Sequence, residues 1–222
     1  MTNTIAIIDY GSGNLRSAHK AFEFMVRETE LNARVILTSD PADVRGADKI
    51  ILPGQGAFGD CMDGLTRLEG MIDALENRVK NDAIPFFGIC VGMQLLATTG
   101  FEHGTHKGLG WIEADVTRMT PNDPKLKIPH MGWNELVLSE TGETHPVLRS
   151  IKKASAAERN FYFVHSFVVN CKHKQHILAQ CDYGGAVTAL IGRDNLIGIQ
   201  GHPEKSQRAG LSLIGDFLCW TP

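Results

Sequence analysis

Two short motifs contain residue types that could break an amide bond. In the first, Gly88-Ile89-Cys90-Val91-Gly92, a cysteine stands between two glycines, after an apolar run. This order is typical of a nucleophile elbow, a tight strand-to-helix turn that exposes a reactive side chain, here with cysteine in place of serine. The positive end of the following helix would favour a thiolate. The motif predicts a nucleophile at Cys90, and a buried structural cysteine is the alternative interpretation.

The second motif, Gly201-His202-Pro203-Glu204, follows the apolar run Leu196–Gln200. A cysteine nucleophile needs a base that takes its proton and later protonates the leaving amine, and histidine suits neutral pH. A carboxylate beside the histidine would fix its tautomer. We therefore predict a triad of Cys90, His202 and Glu204 at the carboxyl ends of strands, where open α/β sheets place their sites. A surface His-Pro turn is the alternative.

A third motif, Pro53-Gly54-Gln55-Gly56, resembles an oxyanion loop. Acyl transfer from an amide builds negative charge on the carbonyl oxygen, which backbone N–H groups stabilise. We predict that the loop residues Gly54 and Gln55 supply such groups, together with the N–H of Val91 just after the nucleophile. Taken alone, the motif also fits an ordinary turn.

The elements that must position these motifs alternate between strands and helices in the first half of the chain. Apolar runs predict strands over Thr4–Ile8, Arg34–Thr38, Lys49–Leu52 and Ile84–Ile89. Helical spacing predicts helices from Leu15 to Met25, one long helix from Leu65 to Val79, one that begins within Gly92–Thr98, and a closing helix over Arg208–Trp220.

The second half is mainly strand-like, and the strands are close together. The predicted strands are Trp111–Met119, Glu135–Leu138, Phe161–Asn170, Ile177–Tyr183, Ala186–Ile191 and Leu196–Gln200. The fold class is therefore α/β: a flavodoxin-like, mostly parallel open sheet with helices on both faces. Additional antiparallel strands in the second half extend this sheet or form a side sheet. We predict a single domain over residues 1–222.

Composition excludes several classes of function. The 25 acidic and 22 basic residues nearly cancel, so no basic field attracts nucleic acid or a membrane surface. The apolar runs are too short to span a bilayer, and the first residues lack the basic start of a signal peptide. The five cysteines include no CxxC pair, which is typical of reduced thiols and predicts a cytoplasmic protein.

Taken together, the motifs resemble class I glutamine amidotransferases, in particular the glutaminase subunits of imidazole glycerol phosphate synthases. The resemblance runs nearly from end to end. Beyond the elbow and the His-Pro-Glu motif, it is carried by the segments DYGSGNLRS from Asp9, PHMGWN from Pro129, FYFVHS from Phe161 and HPEKS from His202.

This resemblance implies a reaction. Cys90 would attack the side-chain amide of glutamine, release ammonia and form a glutamyl thioester that water hydrolyses. The resemblance also implies that glutamine is bound by Gln94, Glu102, His165, Ser166 and Phe167. It implies no cofactor and no metal. The ammonia would pass to a (β/α)₈-barrel cyclase subunit in a heterodimer, which makes imidazole glycerol phosphate for histidine biosynthesis, so the complex would have hydrolase and lyase activities.

The resemblance further implies a partner interface at Asn14, Arg16, Trp133 and Lys205. Several positions depart from the family pattern: Val91 replaces leucine, Gln55 valine, Ser12 proline or methionine, Phe167 tyrosine and Gly201 phenylalanine. The missing ring at Gly201 predicts a looser loop around His202. Such departures would also suit a glutaminase that feeds a surface-sugar amidotransferase.

Other functions stay open at this point. A catalytically silent, glutaminase-like regulatory subunit is one, and a free-standing cysteine hydrolase or peptidase is another. Cys171, His173 and His176 have the donor atoms of a metal site. They stand among lysines in a polar turn, so we predict no metal site there.

Overall fold

The computed structural model describes residues 2–222, so Met1 of the predicted domain lies outside the described residues. The strands are β1 Asn3–Ile8, β2 Ala33–Thr38, β3 Lys49–Gly54, β4 Phe86–Cys90, β5 Thr99–Gly100, β6 His106–Lys107, β7 Ala114–Arg118, β8 His130–Glu135, β9 Val137–Leu138, β10 Asn160–His165, β11 Phe167–Cys171, β12 Ile177–Asp182, β13 Ala186–Arg193 and β14 Leu196–Ile199. The α-helices are α1 Leu15–Glu28, α2 Pro41–Arg45, α3 Phe58–Arg67, α4 Met71–Glu76, α5 Val91–Gln94, α6 Glu140–Thr144, α7 Arg149–Lys153 and α8 Gln207–Cys219.

An eight-stranded sheet forms the centre, in the order β2-β1-β3-β4-β14-β13-β12-β9. The first five strands are parallel, and their order is the flavodoxin-like one. The remaining three strands add to the sheet in antiparallel pairs. The predicted fold class is therefore confirmed. No helix within residues 2–222 is long and apolar enough to cross a bilayer.

Both faces of the sheet are buried, which explains the continuous apolar run of β4. Phe87 lies on the face covered by α1 and α8, where its ring centre is 6.3 Å from that of Phe22 and 5.0 Å from that of Phe217. Phe86 lies on the opposite face, with its ring centre 5.1 Å from that of Trp111. Successive strand residues point to opposite faces, so each needs an apolar partner.

The long helix predicted from Leu65 to Val79 is wrong, because the chain breaks within it. Helix α3 ends at Arg67, and α4 begins after Gly70, which has the left-handed φ of 76°. Only glycine adopts this conformation without strain. The apolar spacing survives the break because Leu65 and Leu75, on either side of it, are both buried in the same core.

The helix predicted within Gly92–Thr98 is shorter than its pattern suggests. Helix α5 ends at Gln94. The carbonyl groups that would continue it accept hydrogen bonds from another segment: Leu95 O from Leu109 N at 2.8 Å, and Leu96 O from Ile112 N at 2.9 Å. Hydrogen bonds from Leu109 and Ile112 thus take the place of the bonds that the next helical turn would make.

Two strands predicted in the second half are each divided. The segment Phe161–Asn170 breaks at Ser166, so that β10 pairs with β8 in a two-stranded sheet and β11 joins the sheet β11-β7-β5-β6. The segment Glu135–Leu138 breaks at Leu136, between β8 and the edge strand β9. The antiparallel strands therefore both extend the main sheet and form side sheets.

Candidate active site

Cys90 lies at a strained turn between β4 and α5. Its φ of 55° and ψ of −114° fall outside the regions that side-chain-bearing residues favour. The flanking glycines have no room for a side chain: a Cβ on Gly88 would lie 2.5 Å from the Gly92 oxygen, and a Cβ on Gly92 would lie 1.7 Å from the Leu52 oxygen. The motif thus forms the sharp turn of a nucleophile elbow.

His202 follows β14, the parallel neighbour of β4, and lies across from the elbow. Register pairs Ile199 with Ile89, so both strands end at the same edge of the sheet. Cys90 and His202 line one cavity of ≈ 270 Å³. The Nδ1 atom of His202 lies 2.9 Å from Glu204 Oε1, and both side chains are buried. The structure therefore brings the three predicted triad residues together.

Burial on its own lowers the pKa of His202, but Cys90 and the Glu204 carboxylate outweigh it and raise the pKa to about 9. The raised pKa favours the protonated form of the imidazole beside the sulfur. Its Nε2 atom is buried and has no hydrogen-bond partner within residues 2–222. That atom is free to exchange a proton with the sulfur or with a leaving amine.

Hydrogen bonds to β10 hold the loop that carries His202, and the looser loop predicted from Gly201 remains a prediction. The His202 N–H donates to the Tyr162 oxygen at 2.8 Å. The Ser206 hydroxyl donates to the His202 oxygen at 2.6 Å and accepts from the Tyr162 N–H at 3.0 Å. The backbone of this loop is therefore tied to β10 by one direct bond and by the Ser206 hydroxyl.

The oxyanion loop lies beside the elbow. Gln55 and Val91 line the cavity, whereas Gly54 lies behind it, paired with Cys90 in the β3–β4 register. The Gln55 N–H donates to the Ser12 hydroxyl at 3.1 Å, and this hydroxyl also donates to the Gln55 oxygen. The Tyr10 hydroxyl donates to the Pro53 oxygen at 2.7 Å. The first turn of the chain therefore holds this loop.

All five residues predicted to bind glutamine line the same cavity: Gln94, Glu102, His165, Ser166 and Phe167. Glu102 reaches it from the turn between β5 and β6, and its Oε2 accepts from the Phe58 N–H at 2.8 Å. The break at Ser166 turns the backbone of residues 165–167 toward the cavity. A carboxylate on one side and backbone polar groups on another could hold the charged end of an amino acid.

His165 belongs to a directional chain of hydrogen bonds that includes the buried side chain of His130 and the half-buried side chain of Asn134. Its Nδ1 donates to the Phe167 oxygen at 2.9 Å, and its Nε2 accepts from His130 Nδ1 at 3.0 Å. His130 Nε2 accepts from Asn134 Nδ2 at 3.3 Å, and that amide also donates to the Asp182 oxygen at 2.8 Å. Because carbonyl oxygens at both ends can only accept, both histidines are neutral and their tautomers are fixed.

We expect this pair to make stability depend on pH. Burial lowers the pKa of His130 and of His165 from 6.5 to about 4. Between pH 6.5 and 4 the unfolded chain binds protons that the folded chain does not, so the free energy of unfolding decreases as the pH falls, by about 2–3 kcal/mol per histidine. Urea denaturation across this range measures the slope. His130→Gln should flatten it, and the exposed control His103→Gln should not. An equal slope in His130→Gln would contradict the expectation.

The residues predicted for a partner interface lie around the mouth of the cavity or beside it. Lys205 lines the cavity, and its Nζ lies 5.8 Å from the centre of the Tyr162 ring. That ring lies 6.0 Å from the ring of Trp133, which is 50% exposed. Asn14 and Arg16 are exposed where β1 gives way to α1, at the same edge of the sheet. Trp133 is therefore not a core residue.

Sequence reasoning missed one residue that contacts the nucleophile. Gln200 is fully buried, and its Nε2 lies 3.8 Å from the Cys90 sulfur. The sequence feature that could have identified Gln200 is its position: it is a polar residue at the end of an apolar strand, close before the His-Pro-Glu motif. Gly56, Pro129 and Val164 also line the cavity and were not predicted to do so.

Comparison with known proteins agrees with this geometry. Residues 6–219 match the family described as glutamine amidotransferase class-I. The fold also resembles solved structures: a glutamine amidotransferase from Thermotoga maritima (TM-score 0.66, 13% identity, 98% of this chain and 97% of that one) and another crystal structure titled glutamine amidotransferase (TM-score 0.61, 19% identity, 95% and 98%). These two share the fold. The chain belongs to the class-I glutamine amidotransferase family.

Curated relatives narrow the family further. The chain is 53% identical to the imidazole glycerol phosphate synthase subunit HisH of Agrobacterium fabrum, over 98% of this chain and 99% of the relative. It is also 53% identical to the HisH subunit of Bradyrhizobium diazoefficiens, over 99% and 100%. Within the class-I glutamine amidotransferases it is therefore a member of the HisH group.

Proposed function

We propose that this chain hydrolyses glutamine to glutamate and ammonia through Cys90, His202 and Glu204, and delivers the ammonia to a synthase subunit. The observation that carries the proposal is the shared cavity, in which an elbow cysteine faces a buried histidine that is paired with a buried carboxylate. A cysteine nucleophile, its base and the group that orients the base are the parts that amide hydrolysis requires.

In the proposed reaction, the Cys90 sulfur attacks the side-chain carbonyl carbon of glutamine. The N–H groups of Val91 and Gln55 stabilise the oxyanion. His202 Nε2 gives its proton to the leaving nitrogen, the C–N bond breaks, and ammonia departs from a thioester. His202 then takes a proton from water, the resulting hydroxide adds to the thioester carbon, and the C–S bond breaks to release glutamate and the Cys90 thiolate. Glu204 holds the imidazole by Nδ1 throughout.

For the glutamine itself, we propose that Glu102 pairs with the α-ammonium group and that the segment His165–Phe167 binds the main-chain carboxylate. Gln94 completes this wall. The position of Glu102 supports the assignment, because its carboxylate stands at the cavity wall and is held there by the Phe58 N–H.

We propose that the partner is a (β/α)₈-barrel cyclase subunit of imidazole glycerol phosphate synthase, bound as a heterodimer for histidine biosynthesis. The names of the HisH relatives favour this partner over a surface-sugar amidotransferase. The complex would combine hydrolase and lyase activities. Four residues would contact the barrel: Lys205 lines the cavity, Trp133 lies beside it next to Tyr162, and Asn14 and Arg16 follow β1 at the same edge of the main sheet. The five free cysteines are consistent with a cytoplasmic protein.

Mixing the chain with barrel cyclase subunits and measuring glutamate release tests the proposal. We expect release to rise with the histidine-pathway barrel. Stimulation by a sugar-pathway barrel alone would favour the alternative acceptor. Full activity without any partner, or hydrolysis of other amides, would favour a free-standing hydrolase. A glutamine analogue that fails to label Cys90 would favour a silent subunit.

Lys205→Ala should weaken the stimulation by the barrel roughly ten-fold, equivalent to about 1.4 kcal/mol of binding. Lys205 is exposed, so the free energy of unfolding should change by less than about 0.5 kcal/mol. Titrating the barrel and measuring glutamate release gives the effect. Lys152→Ala is the matched control, since Lys152 is exposed and pairs with Glu143. If the barrel stimulates Lys205→Ala and Lys152→Ala equally, Lys205 does not belong to the interface.

Ser12→Ala should raise the partner-free glutaminase rate about five-fold. We propose that the hydroxyl of Ser12 holds the Gln55 peptide in a resting orientation, with its N–H turned from the oxyanion. A neutral hydrogen bond contributes about 1 kcal/mol, which corresponds to that factor. Steady-state glutamate release without the barrel measures the change. Ser17→Ala, in the helix that follows, is the control. An unchanged or slower rate in Ser12→Ala would mean that the bond does not restrain the loop.

A further inference from the structure

Gln200 is a buried polar residue that the proposed mechanism does not yet use. It stands one residue beyond β14, next to the elbow at the end of β4, and none of its surface is exposed. A buried carboxamide costs free energy unless its polar atoms find partners. Its Oε1 accepts from Gln94 Nε2 at 3.0 Å, and its Nε2 lies 3.8 Å from the Cys90 sulfur.

The orientation of both carboxamides follows from a backbone carbonyl. Gln94 Nε2 also lies 3.4 Å from the Phe167 oxygen, which can only accept. The group of Gln94 that faces Phe167 and Gln200 must therefore be its NH₂. The atom of Gln200 that accepts from this NH₂ must be its side-chain oxygen. This leaves the NH₂ of Gln200 facing the sulfur. A reversed Gln200 would set two NH₂ groups against each other.

The Phe167 oxygen is itself held by the neutral histidine pair. It accepts from His165 Nδ1 at 2.9 Å, and His165 accepts from His130. Gln94 and His165 thus act through other groups, as positioning residues. Hydrogen bonds therefore connect His130 of β8, the strand that carries Trp133, to the nucleophile, and they meet at the Phe167 oxygen, which accepts from both His165 and Gln94.

We propose that Gln200 is a further catalytic residue, whose side-chain N–H donates a hydrogen bond to the Cys90 sulfur and stabilises the thiolate in the resting enzyme and after thioester hydrolysis. A thiolate accepts such a bond more strongly than a thiol, because donors to an ionised acceptor form the stronger bonds. Phe167 sets the direction of this donor through Gln94. The inference rests on the proposed function in taking Cys90 as the nucleophile.

The test is the pH profile of Cys90 alkylation by iodoacetamide, followed on the Cys90 peptide by mass spectrometry. In Gln200→Met, which keeps the length of the side chain without its N–H, the midpoint should move upward by about one pH unit. Exposed Cys219 in the same molecule is the internal control and should keep its midpoint. Gln175→Met, at an exposed glutamine, controls for the substitution.

The other ionisable groups around the sulfur stay the same in these variants. They are His202 and Glu204 after β14, Tyr10 after β1, Cys61 of α3, and Glu102, His165 and Lys205 around the cavity. A displaced midpoint in the Gln200 variant therefore reports the lost donor.

Three further variants separate a lost donor from a general disturbance of the site. Gln200→Asn retains a polar side chain but withdraws the NH₂ from the sulfur, so it should also raise the midpoint. Gln94→Met should raise it less, because Gln200 stays in place but is free to turn. The double variant Gln94→Met/Gln200→Met should match Gln200→Met alone, since the two residues act in series.

A wild-type midpoint in folded Gln200→Met or Gln200→Asn would overturn the assignment and leave Gln200 a packing residue. The assay contains no glutamine and no partner. If the unsubstituted chain releases no glutamate with any barrel subunit, but the Gln200 variants show the displaced alkylation midpoint, only the proposed function is refuted. Normal glutaminase activity with an undisplaced midpoint would refute only the role of Gln200.

Discussion

Cys90→Ala should reduce glutamine-dependent synthesis by the complex about 10⁴-fold or more, while ammonia-dependent synthesis continues. The sulfur at the elbow is the only proposed nucleophile, and removing the nucleophile of a triad leaves little of its rate. In the proposed complex the partner subunit would perform the step that consumes ammonia, so added ammonium should restore synthesis in the variant. The assay compares product formation with glutamine and with an ammonium salt as the nitrogen source.

Cys219→Ala is the matched control, because Cys219 is an exposed cysteine of α8 and should leave both activities unchanged. A Cys90→Ala variant that loses ammonia-dependent synthesis as well would show that the residue supports assembly or folding. If glutamine-dependent synthesis persists in Cys90→Ala, then Cys90 is not the nucleophile and the proposed triad is wrong.

Gly92→Ala should destabilise the chain by more than about 4 kcal/mol. The added Cβ would lie 1.7 Å from the Leu52 oxygen, which is backbone of the central strand β3 and cannot rotate away. The elbow and the strand must separate, and both lie in the middle of the buried sheet. For a chain of this length the loss corresponds to a fall in Tm of roughly 8–16 °C. Thermal and urea denaturation measure the change.

Gly46→Ala is the control for that substitution. Gly46 has an ordinary φ of −93°, and its added Cβ would first meet the Asp43 oxygen at 3.7 Å, which is a normal contact. Its stability should change by less than about 1 kcal/mol. If Gly92→Ala were as stable as Gly46→Ala, the elbow would have more freedom to move than its packing implies.

Much of the fold was determined by local patterns in the sequence. Strands of the parallel sheet read as apolar runs because both of their faces are buried, as Phe86 and Phe87 illustrate. The elbow was readable for a similar reason, since glycines stand where Gly92 and Leu52 approach too closely for a side chain. Burial and close backbone contacts restrict the residue type at each of these positions, so one sequence is enough to predict the strands and the elbow.

Other features depended on contacts between distant segments. The break at Gly70 interrupts an apolar spacing that continues unchanged, because both helices pack on one core. Helix α5 ends at Gln94 because Leu109 and Ile112 take the carbonyl groups that would extend it. Their partners lie on another segment, so no pattern within the helix itself reveals the end.

The sequence by itself determined which residue types stand at the ends of β3, β4 and β14, and therefore the chemistry that the site can perform. Only the tertiary structure decided how their polar atoms are directed. The direction of the Gln200 carboxamide is set by the Phe167 carbonyl through Gln94, and the Gln55 peptide is held by Ser12. Hydrogen bonds between segments far apart in the chain fix these directions, since each donor must meet an acceptor that only folding brings near.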